Sequence, residues 1–66
     1  MQIQVNGEPQ EFPGGISVQE LLAALGLTGK RLAVELNAEI VPRSQHDSVR
    51  LQENDQIEIV HAIGGG

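Results

Sequence analysis

The residues best suited to chemistry in this sequence are the three consecutive glycines at its end, Gly64, Gly65 and Gly66. Glycine has no side chain and accepts any backbone path, so glycines pass most easily through a narrow channel. Since an extended residue spans about 3.3–3.6 Å, three glycines project a carboxylate on Gly66 about 10 Å beyond Ile63. That carboxylate is ionised at neutral pH and becomes a good acyl donor once it is activated as an acyl-adenylate. We therefore expect Gly66 to be modified inside a partner protein, with a frayed end or a cloning remnant as the alternative.

The other polar residues do not have the spacing of a catalytic or metal site. The sequence lacks cysteine, which excludes disulfides and thiolate metal sites. His46 and Asp47 are adjacent, but no nucleophile stands beside them, and a polar pair in a loop is usually solvated. His61 shares its parity with Ile59 and Ile63, which predicts a packed histidine or one at a rim. We expect no catalytic residue, no metal site and no bound cofactor.

The composition restricts the classes of partner. The 66 residues carry nine carboxylates against four Lys and Arg, which gives a net charge of −5. Nucleic acid is disfavoured as a partner, because phosphate binding needs a basic face and the absence of Trp and Tyr removes the platform for stacking bases. No apolar run is long enough to span a membrane, and the first residues lack the pattern of a signal peptide. We expect one cytoplasmic, monomeric domain over residues 1–66, with 64–66 as a flexible tail.

The first residues predict a β-hairpin. Residues 1–5 alternate apolar and polar side chains, which is typical of a half-buried strand. Asn6-Gly7 follows, and this dipeptide favours a tight hairpin turn because both residues tolerate positive φ. The second strand is predicted over residues 8–12, where Pro9 lacks an N–H and therefore indicates a sheet edge.

The segment "ISVQELLAALGL" predicts a short helix. Ser17 and Glu20 have the spacing of a capping box, and Gly26 suits the left-handed residue just past the end of the helix. The buried face follows the i, i+3, i+4, i+7 spacing and comprises Val18, Leu21, Leu22 and Leu25. A helix of about eight residues does not persist alone in water, so it must lie against a sheet.

The second half of the chain predicts short strands. In chain order they are an alternating strand at 32–36, an edge strand at 39–41 after an Asn37-Ala38 turn, a short strand at 49–51 and a last strand at 56–62. Residues 43–48 have no clear period and predict a loop with one helical turn. If Ile59 packs under the helix, Val60 and Ala62 lie on the opposite face of the sheet. An apolar spot near the glycines suits docking of a partner, although isolated exposed valines are also common.

This element order predicts the α+β β-grasp, or ubiquitin-like, fold. A mixed sheet of four or five strands with one helix packed on one face is the economical way to bury these apolar residues. The pattern leaves the order of the strands in the sheet open.

With this fold order, three segments make the chain resemble the small ubiquitin-like sulfur carriers. The segments are "NAEIVPR" at 37–43, "DQIEIV" at 55–60 and the glycines at 64–66. "NAEIVPR" and the short length make the chain most similar to the carriers of thiamine biosynthesis, the ThiS family. The resemblance covers essentially the whole chain.

The resemblance implies a protein cosubstrate and not an enzyme. An E1-like (ThiF-type) adenylyltransferase would use ATP and Mg²⁺ to adenylate the carboxylate of Gly66. A persulfide, formed from cysteine by a desulfurase, would displace AMP and leave a thiocarboxylate. A ThiG-type thiazole synthase would then take the sulfur into the thiazole ring of thiamine.

The resemblance also implies roles for residues near the glycines. Gly64 and Gly65 would form the thread behind Gly66, and Ile63 would guide the tail at the mouth of the channel. Val60, Ala62 and Arg43 are candidate partner contacts, with a solvated surface charge as the alternative for Arg43.

Two other interpretations stay open. The chain could carry sulfur for another pathway, such as molybdopterin or cysteine synthesis, in which the chemistry is the same and the acceptor enzyme differs. It could instead be a non-covalent β-grasp binding module whose glycines are inert.

Overall fold

Segments with alternating apolar residues form the five strands of one mixed sheet. The computed structural model describes residues 1–61. The strands are β1 (Gln2–Val5), β2 (Glu8–Glu11), β3 (Leu32–Leu36), β4 (Glu39–Ile40) and β5 (Gln56–His61). The helix α1 spans Val18–Ala24, and one 3₁₀ turn spans Arg43–Gln45. The strands are ordered β2-β1-β5-β3-β4, with β1 parallel to β5 and the other neighbours antiparallel. The predicted β-grasp architecture, with one helix and a mixed sheet, is confirmed.

The β1-β2 hairpin forms as its sequence predicts. Asn6 and Gly7 both have positive φ, 51° and 83°, so the two-residue turn matches the right-handed twist of the strands. Pro9, on β2, pairs with Gln4 on β1, and β2 is an edge strand. The missing N–H of Pro9 therefore faces outwards and costs the sheet no hydrogen bond.

Helix α1 is held at both ends by local hydrogen bonds. The Glu20 N–H donates to the Ser17 hydroxyl (3.0 Å), and the Ser17 N–H donates to the Glu20 carboxylate (2.8 Å). At the other end Gly26 has φ of 73° and donates to the Ala23 carbonyl, while Leu27 donates to the Leu22 carbonyl. Both predicted ends of the helix are therefore confirmed.

The core lies between α1 and one face of the sheet. Its ten buried side chains are Ile3, Val5, Val18, Leu21, Leu22, Val34, Val41, Leu51, Ile57 and Ile59. The helix contributes three of them at the predicted spacing, whereas Leu25 at its end is half-buried. The opposite face of the sheet is not covered by any element among residues 1–61.

The short strand predicted at residues 49–51 is wrong. Arg50 forms only an isolated bridge with Ser17, the Val18 N–H donates to the Val49 carbonyl, and the Leu51 N–H donates to the Ile16 carbonyl. This segment therefore pairs with the chain entering α1 and not with a strand of the sheet. Its apolar alternation is real, since Leu51 is buried, but alternation does not reveal the hydrogen-bonding partner.

No helix within residues 1–61 has the length and apolar character needed to cross a lipid bilayer.

Candidate functional site

Strand β5, which leads to the glycines, occupies the middle of the sheet. Antiparallel pairing with β3 runs from Leu36 opposite Ile57 to Leu32 opposite His61, the last described residue. On its other side β5 pairs with β1 only as far as Val5 opposite Ile57. Five predicted site residues lie outside the described residues: Ala62, Ile63, Gly64, Gly65 and Gly66. The prediction of a flexible tail concerns these same residues. The structure thus shows a strand paired with β1 at its start and with β3 along its whole described length.

Asn6 extends the hydrogen bonding of β5 beyond the end of β1. Its backbone N–H donates to the Ile57 carbonyl at 2.8 Å. Its side-chain oxygen accepts from the Ile59 N–H at 2.8 Å, and its side-chain NH₂ donates to the Ile59 carbonyl at 3.3 Å. The amide group therefore occupies the place that a further β1 residue would have in the ladder. Sequence reasoning assigned Asn6 to the turn alone, because the partner is 53 residues away.

Asn37 holds the start of β5 in a similar way. Its N–H donates to the Gln56 carbonyl at 2.7 Å, and its side-chain oxygen accepts from the Gln56 N–H at 3.0 Å. Its side-chain NH₂ donates to the Asp55 carboxylate at 3.1 Å. Both asparagines have φ of 51°, so each combines a left-handed turn with a side-chain clamp on the same strand. Nothing in the local sequence pattern separates this role from an ordinary turn.

Val60 lies on the open face of the sheet, as predicted. Its side chain is 54% exposed, and it stands opposite Ala33 on β3. A second apolar residue that the sequence reasoning missed, Ile40, is 70% exposed and belongs to the same face, since it pairs with Glu35. Glu35 in turn stands opposite Glu58. The open face therefore combines isolated apolar side chains with carboxylates.

Arg43 lies on the other side of the sheet. It begins the 3₁₀ turn, its Nη2 donates to the Lys30 carbonyl at 3.4 Å, and it lines a pocket with Leu22 of the helix. Val60 and Arg43, both predicted as partner contacts, consequently do not form one patch. A partner that contacts both must reach around the end of the sheet.

The two histidines have different surroundings. The Nε2 atom of His46 lies 3.1 Å from the Val41 carbonyl, and the His46 carbonyl accepts from the Gln19 N–H. His61 is exposed at the end of β5, which agrees with a histidine at the rim. Within residues 1–61 there is no group of three or more potential metal ligands.

The comparisons with known proteins decide the family. The family model for ThiS matches residues 3–66. The chain belongs to the ThiS family. This is a family of sulfur carriers in thiamine biosynthesis, and the predicted resemblance is confirmed.

Relatives of similar length agree with this membership. The sulfur carrier protein ThiS of Bacillus subtilis (strain 168) is 38% identical over 65 residues, which are 97% of this chain and 98% of that protein. The crystal structure of the thiamine biosynthesis protein ThiS from Geobacter metallireducens superposes with a TM-score of 0.88 at 33% identity and covers 100% of both chains. This ThiS-family chain thus shares both the length and the fold of those proteins.

Longer relatives contain a similar segment. The thiazole synthase of Magnetococcus marinus is 47% identical over all 66 residues of this chain, which correspond to 20% of that protein. A second relative with the same name has the same coverage. The chain therefore spans about a fifth of the length of these two curated relatives.

Proposed function

We propose that this ThiS-family chain carries sulfur as a thiocarboxylate on Gly66 and supplies it to a thiazole synthase. The observation that carries the proposal is strand β5, an inner strand that β1 pairs at its start and β3 pairs as far as His61; two residues after His61 come the three glycines. A strand held on both sides is a rigid base, and residues without side chains reach most easily into an enclosed active site. The chain would supply the reacting group and its presentation, while the partners supply the catalysis.

The proposed reaction replaces one carboxylate oxygen of Gly66 by sulfur. A carboxylate oxygen attacks the α-phosphate of ATP, pyrophosphate leaves, and an acyl-adenylate forms. Mg²⁺ would enter the activating enzyme with ATP and would offset the negative charge of its phosphates in this step. The terminal sulfur of a persulfide then attacks the carbonyl carbon and AMP leaves; a thiol cleaves the resulting S–S bond and leaves the thiocarboxylate.

The partners follow from these steps. An E1-like adenylyltransferase of the ThiF type would activate Gly66, and a cysteine desulfurase or other persulfide donor would supply the sulfur. A ThiG-type thiazole synthase would accept it and restore the carboxylate. Support for this last partner comes from the relatives named thiazole synthase, which contain a segment similar to this chain. We place these reactions in the cytoplasm and propose that the carrier acts as a monomer.

Residues near the glycines would guide this exchange. Ile63 would lie at the mouth of the partner's channel, and Gly64 and Gly65 would pass through it. Val60, which is 54% exposed, would contact the partner on the open face, together with Ala62. Arg43 would contact it on the helix side.

Intact mass is the measurement that tests the function. The chain is incubated with ATP, Mg²⁺, a persulfide source and its activating enzyme. We expect a mass gain equal to the difference between a sulfur and an oxygen atom. A variant without Gly66 should show no mass gain, because its terminal carboxylate is one residue too short to reach the active site. A variant with an alanine added after Gly66 should show none either, because the terminal residue then has a side chain.

Two controls make the result decisive. Both variants should melt at the temperature of the unchanged chain, since the altered residues lie beyond strand β5. The enzyme must also be active on another carrier. No mass gain on the unchanged chain would then contradict the proposal and favour a binding module, and a normal gain in the extended variant would contradict the threading of Gly66.

A further inference from the structure

A pocket on the helix side of the sheet has a cationic rim and an apolar floor. Its volume is about 230 Å³, and it lies between the end of α1, the start of β3 and the 3₁₀ turn. The floor is formed by Leu22, Leu27 and Leu32. The exposed Lys30 and Arg43 form the rim, and the half-buried His46 lines the pocket beside them. The proposed sulfur transfer uses none of these side chains except Arg43 as a partner contact.

The charge of this pocket is opposite to that of the chain as a whole. The chain has a net charge of −5 and nine carboxylates, but no carboxylate lines the pocket. Two of its four Lys and Arg residues do. Arg50, by contrast, lies 3.8 Å from the Glu20 carboxylate. Among residues 1–61 neither Lys30 nor Arg43 has an ion-pair partner, so both cations are available to an anion from outside.

The rim is held in place by the backbone. Arg43 donates from Nη2 to the Lys30 carbonyl at 3.4 Å, which places the guanidinium beside the Lys30 backbone. The His46 ring is held 3.1 Å from the Val41 carbonyl. A guanidinium has five N–H donors in a planar fork, so the contact with Lys30 leaves donors for a carboxylate.

The pocket lies at the end of the sheet where the described part of β5 ends. Leu32 on its floor stands opposite His61, the last residue of β5. Residues 62–66 extend the chain by about 17 Å at most. An enzyme whose active site receives Gly66 must therefore bring its surface close to this pocket.

We propose that the pocket binds an acidic segment of the activating enzyme, with a carboxylate between Lys30 and Arg43 and an apolar side chain on the leucine floor. This inference rests on the proposed function. The activating enzyme receives an ordinary carboxylate, so it must recognise the folded domain as well as the glycines. The thiazole synthase receives a thiocarboxylate, which it can distinguish from other C-termini by the sulfur atom and therefore without using the pocket.

Charge reversal at the rim tests the proposal. Lys30→Glu and Arg43→Glu are compared with Arg31→Glu, which makes the same change in net charge at an exposed cation that does not line the pocket. Pyrophosphate release by the activating enzyme is measured over a range of carrier concentrations. We expect the two rim variants to raise KM about tenfold or more, because close interfacial charge pairs couple by about 1.5 kcal/mol or more. The kcat should change less than about twofold, as should the KM of the Arg31 variant.

The possible outcomes separate this inference from the proposed function. An equal rise of KM in all three variants would overturn the proposed binding at the pocket, because the rise would then come from the changed net charge of the carrier. No rise in any variant would also overturn it, as would a defect confined to the thiazole synthase step. Arg43→Gln removes the charge but leaves a neutral polar side chain, and it should raise KM even if Arg43→Glu folds poorly. Absence of pyrophosphate release with the unchanged carrier would overturn the proposed function together with the pocket.

Discussion

At the scale of the residue, two asparagines combine a turn with the anchoring of the strand that leads to the glycines. Asn6 and Asn37 both have φ of 51°, a conformation that asparagine adopts more readily than most residues with a side chain. Glycine would form the turn equally well, but only an amide side chain also offers a donor and an acceptor. Asn6 uses both on Ile59, and Asn37 uses both on residues 55 and 56.

We predict that Asn6→Gly loosens β5 without disturbing the hairpin. Glycine accepts the positive φ, so the main loss is the pair of hydrogen bonds to Ile59, worth about 1 kcal/mol each. Amide hydrogen exchange measured by NMR should become faster at Ile59 than in the unchanged chain. Asn54→Gly is the matched control, because Asn54 also has positive φ, 70°, and makes no side-chain hydrogen bond to residues 1–61. Equal exchange rates at Ile59 in the two variants would refute the clamp.

At the scale of the element, helix α1 depends on its capping box because it has only seven residues. The two bonds between Ser17 and Glu20 satisfy N–H groups that have no partner inside the helix. The same arrangement lowers the pKa of Glu20 below its ordinary value of 4.5, chiefly because the Ser17 backbone N–H donates to the carboxylate. Desolvation acts in the opposite direction, and the Ser17 hydroxyl and Arg50 lower the pKa by smaller amounts. The ionised carboxylate is thus the form that the folded helix prefers.

We predict that this helix cap weakens in acid. Since the pKa of Glu20 is lowered in the folded state, the stabilisation is fully present above about pH 4.5 and is lost as the pH falls through the lowered pKa. Glu20→Gln retains an acceptor oxygen for the cap without the charge. Chemical unfolding should show the unchanged chain to be more stable than Glu20→Gln at neutral pH, with the difference shrinking in acid.

Glu8→Gln serves as the control for Glu20→Gln, because no group in residues 1–61 donates a hydrogen bond to the Glu8 carboxylate. Its stability relative to the unchanged chain should vary less between neutral pH and acid. A difference for Glu20→Gln that stays constant with pH would refute the cap as its source. The ion pair of Glu20 with Arg50 is exposed and contributes little to either comparison.

At the scale of the whole molecule, the core occupies one face of the sheet and leaves the other face open. The ten core side chains lie between the helix and one face of the sheet, whereas Val60 and Ile40 are on the open face. A chain of this size buries only about 60% of its unfolded surface, so its stability is small. Each fully buried leucine is consequently a large share of that stability.

We predict that Leu21→Ala nearly unfolds the domain. Leu21 is fully buried, and truncation of such a leucine costs about 2–5 kcal/mol out of a stability of about 5 kcal/mol or somewhat more in a small domain. Leu25→Ala makes the same change on the same helix at a half-buried position and should cost clearly less. Urea unfolding monitored by circular dichroism measures both. A smaller loss for Leu21 than for Leu25 would contradict the assigned core.

Most elements were predictable because their signals are local. The capping box of Ser17 and Glu20, the positive-φ turn at Asn6-Gly7 and the alternation in residues 56–61 each act within a few residues. The edge position of β2 also followed from Pro9, which cannot donate a ladder hydrogen bond. The glycines and "NAEIVPR" indicated the family in the same way, through residues adjacent in the chain.

Interactions between distant segments could not be predicted from these signals. The alternation at 49–51 indicated burial of Leu51 correctly, but its hydrogen bonds go to Ile16 and Val18 at the start of the helix. The clamp of Asn6 on Ile59 and the cationic pocket at Lys30 and Arg43 likewise join residues from separate elements. Alternation and capping depend on residues that are close together in the chain, so the sequence alone determines them. The partner across the sheet depends on strand order, which is set by how all elements together bury the core.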